Sequence, residues 1–97
     1  MELRALTLLS LQQALLGSVT PDLRAVEIWI EGRQVRASFS YDGEISGEHR
    51  EAVSEIETLV LADLPDDVEV RFEPASVPHS HPVGIVRDSV YAYLRRE

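Results

Sequence analysis

The sequence predicts an α+β domain spanning residues 1–97, in the order αββαββ, with two helices on one face of a four-stranded, mainly antiparallel sheet. Three observations carry this. Apolar residues recur at helical spacing around Leu11 and again around Ile56. They alternate with polar residues in four other segments, near Ile28, Ala37, Val70 and Ala92. Gly and Pro fall between those segments, where the chain must turn or stop.

Leu8, Leu11 and Leu15 form a helical stripe that Ala5, Leu9 and Leu16 widen, so residues 3–17 read as the first helix. Gly17 supplies a stop, and Pro21 discourages continuation. A stripe this broad fits burial in the core, with self-association through this helix as the second reading. Val26, Ile28 and Ile30 then alternate with Glu27, Trp29 and Glu31 over residues 25–31, the pattern of a half-buried strand. Glu31-Gly32-Arg33 makes the turn, and Val35, Ala37, Phe39 and Tyr41 repeat the period in an antiparallel partner.

Ser46 stands where a hydroxyl can cap a helix start, ahead of Ala52, Val53, Ile56, Leu59 and Val60. The helix is expected over 47–63, with Pro65 forcing the exit. Its apolar side, Ile56 and Leu59 included, should meet Val26, Ile28 and Ile30. Val68, Val70 and Phe72 alternate with acids and arginine as a third strand. Residues 74–86 carry Pro74, Pro78, Pro82 and Gly84, cannot continue a central strand and read as a loop. Val90, Ala92 and Leu94 resume the alternation, with Tyr91 and Tyr93 on the opposite face beside Trp29 and Arg36.

Charge narrows the function. The chain has 17 acidic and 9 basic residues, a formal net charge of -8, and no lysine. Nucleic-acid binding needs clustered cations that release counterions, so this balance argues instead for a cationic partner, or for solubility alone. The acids Asp42, Glu44, Glu48, Glu51, Glu55, Glu57, Asp63, Asp66, Asp67, Glu69 and Glu73 carry the whole negative excess, relieved only by Arg50 and Arg71. Glu48, Glu51 and Glu55 share one side of the second helix, because residues three and four apart superpose there. With no cysteine, neither a disulfide nor a thiolate metal site is available. The leucine-rich start is too short to span a bilayer and is broken by Gln12 and Gln13, so no membrane association and a cytoplasmic location are expected.

Catalytic and metal chemistry find little support. His79-Ser80-His81 could offer two imidazoles, but zinc needs a third and usually a fourth ligand that the spacing does not supply. The serines lack a Gly-x-Ser-x-Gly context, and Asp42-Gly43 is an ordinary turn whose carboxylate can bond its own backbone. No cofactor and no enzyme activity are expected. The residues singled out for partner binding are Asp42, Glu44, Glu48, Glu51, Glu55, Asp66 and Asp67 for charge, with Trp29 as an aromatic anchor.

Five blocks fall in order across residues 14–97: Thr20-Pro21-Asp22-Leu23-Arg24-Ala25-Val26, Phe39-Ser40-Tyr41-Asp42-Gly43-Glu44-Ile45-Ser46, Ser54-Glu55-Ile56-Glu57-Thr58, Ala62-Asp63-Leu64-Pro65-Asp66 and Tyr93-Leu94-Arg95-Arg96-Glu97. Together they resemble a family of small acidic bacterial proteins that includes immunity proteins of contact-dependent growth inhibition and related polymorphic toxin systems. The resemblance implies a non-enzymatic protein that binds the toxic C-terminal domain of a cognate effector, often a nuclease, and blocks its active site. The alternative is an interaction module that self-associates, as a homodimer through the first helix or the open sheet face, without neutralising a toxin.

Overall fold

The computed structural model describes residues 2–84 and 87–97; Met1, and residues 85 and 86 of the segment expected to be a loop, lie outside the described residues. The elements follow the order α1 (Leu3–Leu15), β1 (Leu23–Glu31), β2 (Gln34–Tyr41), α2 (Gly47–Asp63), β3 (Glu69–Ser76) and β4 (Val90–Leu94). The strands form one sheet in the spatial order β3-β2-β1-β4.

The sheet is mixed, which corrects the mainly antiparallel expectation. β1 pairs antiparallel with β2 and with β4, whereas β2 and β3 run parallel, from Gln34 opposite Glu69 to Tyr41 opposite Ser76. The reason lies in α2. Its 17 residues carry the chain back along the sheet, so β3 starts from the same end as β2. At the other connection, Gly32 takes φ 62°, the positive angle that a two-residue hairpin turn demands.

β3 also runs past Phe72 through Pro74 to Ser76, where the sequence suggested a loop. A proline cannot donate to a sheet ladder, but β3 is an edge strand, and the missing N–H of Pro74 falls on its unpaired side. β4 differs in a second way. Val26 stands opposite Tyr93 and Glu27 opposite Tyr91, so Ala92 is an extra residue in the ladder. This bulge turns Tyr93 toward the core, corrects its expected place on the open face, and leaves Leu94 55% exposed beside Ala25.

One core joins both helices to a single sheet face. Leu11 and Leu15 from α1 and Val53, Ile56 and Val60 from α2 pack with Leu23, Val26, Ile28, Val35, Ala37, Phe39, Tyr41 and Phe72. Full burial of each large aliphatic or aromatic side chain stabilises by about 1.5–3 kcal/mol. Phe39 and Phe72 meet at a centroid distance of 5.8 Å, joining β2 to β3 from below α2. Leu59, expected inside, is instead 56% exposed. At about 100° per residue, Val53, Ile56 and Val60 bracket the inward direction, and Leu59 falls roughly 90° to one side. α1 ends earlier than expected, with Leu16 as its 79% exposed C-cap. Its buried Thr7 and Ser10 hydroxyls donate to Leu3 O and to Asp63 Oδ2 of α2, both at 2.7 Å, so two polar groups enter the helix interface with partners.

Candidate partner-binding surfaces

Ser46 caps α2 as expected, and His49 completes the cap in a way the sequence did not suggest. The His49 N–H donates to Ser46 Oγ at 3.2 Å, and the Ser46 N–H donates to His49 Nδ1 at 3.0 Å. An imidazole thus takes the place that Glu or Gln holds in the usual reciprocal cap. Because Nδ1 accepts, Nε2 carries the proton in the neutral ring, and it lies 2.6 Å from Asp22 Oδ2. The ring also stacks on Tyr41 at 4.0 Å. The Asp22 carboxyl sits below its usual range, chiefly because the Thr20 hydroxyl donates to it; burial opposes this, and the contact with His49 adds to the lowering. With both ring nitrogens engaged, His49 holds the entries of β1 and α2 together.

From this cap the acidic stripe runs outward along α2. Glu48, Glu51 and Glu55 are all exposed, and none of the ion pairs among the described residues involves them. Glu48 in the first turn is favoured by the positive end of the helix dipole. Glu44 is exposed in the short connection just ahead, and Leu59 lies one turn beyond Glu55. A shallow depression lined by Ser54, Glu55, Thr58 and Leu59 therefore sets an apolar side chain at the margin of the charge.

The other singled-out residues are elsewhere. Asp66 and Asp67 follow α2, whose 17 residues separate them from its start by about 25 Å of helix. Asp66 is exposed, whereas Asp67 forms a two-pronged pair with Arg33 of the hairpin turn, at 3.0 and 2.8 Å, and the guanidinium holds its carboxyl below the usual range. Asp42 also has internal work. Its Oδ1 accepts the His79 N–H at 2.9 Å and its Oδ2 lies 3.8 Å from Arg95 Nη2, so it supports the segment after β3.

Trp29 projects from the sheet face opposite the helices, across from Arg36 in the β1–β2 ladder, and its Nε1 donates to Glu31 Oε1 at 3.2 Å. Arg36 in turn stands opposite Arg71 on β3. The fold therefore groups Glu48, Glu51 and Glu55 on one side of α2, leaves Glu44 exposed just ahead of that helix, and puts Trp29 on the opposite face of the sheet.

Sequence reasoning missed Arg24, the organising cation of the molecule. It is 2% exposed at an irregularity in β1, where Leu23 pairs with Tyr41 and Ala25 with Ser40. Its Nη1 donates to the carbonyls of Val77, Pro78 and His81 at 2.9, 3.0 and 2.8 Å. Its Nε and Nη2 grip the Glu97 carboxylate, both at 2.8 Å, and Arg95 joins Glu97 at 3.0 Å. These contacts, Arg24 first, lower the Glu97 carboxyl from 4.5 to about 2. The only hint in the sequence was an arginine beside a strand's first leucine. The His79–His81 segment is thus organised through its main chain, and no group of three or more metal-binding side chains occurs among the described residues.

Comparison with known proteins bears on which of these surfaces could matter. The model of the MafI2 immunity protein family matches residues 4–97. No curated protein matches the chain.

Proposed function

The chain belongs to the MafI2 immunity protein family, and from that premise we propose that it binds the toxic C-terminal domain of a cognate effector, a basic nuclease, and occludes its active site with the acidic surface of α2. The family implies neutralisation of a toxin in general; charge supplies the finer reading. A nuclease that grips phosphate is cationic where it works, and an anionic surface both steers its approach and competes for that site.

The observation that carries this reading is the stripe of Glu48, Glu51 and Glu55, exposed and outside every ion pair among the described residues. Like charges at this spacing cost a helix roughly 0.2–0.5 kcal/mol per pair. A cationic partner converts that cost into binding. Glu44 extends the stripe, Asp66 extends the field at the far end of α2, and Asp42 and Asp67 contribute as internally anchored charges. Trp29 would serve as an aromatic anchor only for a partner that also reaches the opposite sheet face. The mechanism is steric and electrostatic, needs no cofactor, uses no nucleic acid or membrane, and fits the cytoplasm, where such a nuclease would do its damage. Among the described residues no helix is long and apolar enough to cross a membrane.

The test is co-expression of the cognate toxin domain with and without this protein, scored as cell survival. Death alone and rescue together support the reading; death in both rejects it. A self-associating module without toxin-neutralising activity is the second reading, favoured by the exposed Leu9 and Leu16, which share a side of α1 seven residues apart. It predicts a homodimer that Leu16→Glu dissociates.

A further inference from the structure

β3 forms one edge of the sheet, and its hydrogen-bonding directions can be assigned residue by residue. The Glu69 N–H donates to Arg33 O at 2.9 Å and the Val77 N–H to Tyr41 O at 2.8 Å. By alternation, Glu69, Arg71, Glu73 and Ala75 turn their main-chain groups toward β2, and Val70, Phe72, Pro74 and Ser76 turn theirs outward. An eight-residue edge of this kind is ordinarily a template for another strand.

The two central outward positions offer no free N–H, which removes both bonds wherever they would face each other across two identical edges. Pro74 has no N–H to offer. The Phe72 N–H is already taken, because the Glu57 carboxylate reaches down from α2 and accepts it at 2.7 Å. Glu57 thereby stands in the groove of about 520 Å³ between α2 and β3, where the carbonyl of an added strand would have to lie. Of the outward N–H groups, those of Val70 and of Ser76 remain, roughly 20 Å apart along the strand.

We infer that the β3 edge is a latent pairing surface for a second copy of this chain, held shut by Glu57 and Pro74. A second copy is the occupant the geometry fits, because two identical edges related by a two-fold axis would pair antiparallel and join two four-stranded sheets into one of eight strands. Closing the two middle positions removes the central bonds of that ladder from both copies at once. The inference is independent of the toxin reading and concerns what keeps the chain from joining to itself along this edge.

The experiment is sedimentation velocity over a wide concentration range on the wild type, Glu57→Ala/Pro74→Val and, as a matched loss of one exposed charge on the same helix, Glu55→Ala. The double variant should shift toward twice the wild-type mass as concentration rises, with slowed amide exchange at Val70 and Phe72, while Glu55→Ala stays with the wild type. A folded double variant whose mass and exchange match the wild type would overturn the inference. If the double variant fails to fold, Pro74→Val alone decides. Its new N–H points outward and strains nothing, so it should associate measurably more than the wild type, and equal association would overturn the inference in the same way.

Discussion

Arg24 and Glu97 form a two-pronged ion pair, Nε to Oε2 and Nη2 to Oε1, each at 2.8 Å, that ties the first sheet strand to a residue 73 positions later. The remaining guanidinium nitrogen binds three carbonyls of the segment after β3, so one buried cation fixes two stretches that have no regular structure of their own. Because Arg presents a planar fork, lysine could not reproduce both sets of bonds.

This pair predicts a signature in acid. The Glu97 carboxyl titrates at 4.5 when free and at about 2 in the folded protein. A carboxylate lowered by folding contributes stability that is complete above 4.5 and is lost as the pH falls from there toward 2. The melting temperature of the wild type should therefore fall more steeply across that interval than that of Glu97→Gln, which starts lower at neutral pH. Parallel curves would show that the pair contributes nothing to folding.

Arg24→Lys tests the fork itself. It should lower the melting temperature by at least a few degrees and speed amide exchange at Arg95 and His81, whose segments Arg24 joins, with α1 and α2 unaffected. Unchanged exchange there would place the organisation of the tail in Asp42 and Arg95.

His49→Ala removes the acceptor for the Ser46 N–H, the contact with Asp22 and the stack on Tyr41. A lost helix cap alone costs about 0.5–2 kcal/mol, and denaturant unfolding should show a loss toward the upper end of that range. Binding to the toxin should persist once the folded fraction is taken into account.

Leu59 and Ile56 separate surface from core on α2. Ile56→Ala should destabilise by about 2–5 kcal/mol, whereas Leu59→Ala should stay within about 0.5 kcal/mol of the wild type. A large loss at Leu59 would mean that it is covered in solution, which would point to an interface over that end of the helix.

How far the sequence announced this structure depends on whether the cause of each feature was local. α2 runs from Gly47 to Asp63, as the Ser46 cap and Pro65 required, because both signals act within a turn of the helix they bound. Pro74 was misread because its tolerance depends on β3 lying at a sheet edge, a matter of neighbours distant in sequence. Tyr93 changed face through one extra residue, Ala92, and alternation carries no warning of a bulge. The acidic face of α2 was legible from three- and four-residue spacing. The engagement of Asp42 with His79 and Arg95, and of Asp67 with Arg33, was not, since pairs 34 to 53 residues apart leave no periodic trace.

Charge reversal on α2 should act on the approach of the toxin. Glu48→Arg/Glu51→Arg/Glu55→Arg is expected to slow association by about tenfold or more at low salt and to flatten its dependence on ionic strength, because screening already weakens exposed charges at 0.15 M. Stopped-flow mixing with the cognate toxin domain reads both effects.

The most direct test of the account is survival of cells producing the cognate toxin domain together with the wild type, with the triple reversal, or with Trp29→Ala, at matched soluble levels. Rescue by the wild type and by Trp29→Ala, with loss of rescue in the triple reversal, is the predicted result. Full rescue by the triple reversal, with rescue lost in Trp29→Ala, would contradict it and move the inhibitory contact to the opposite face of the sheet.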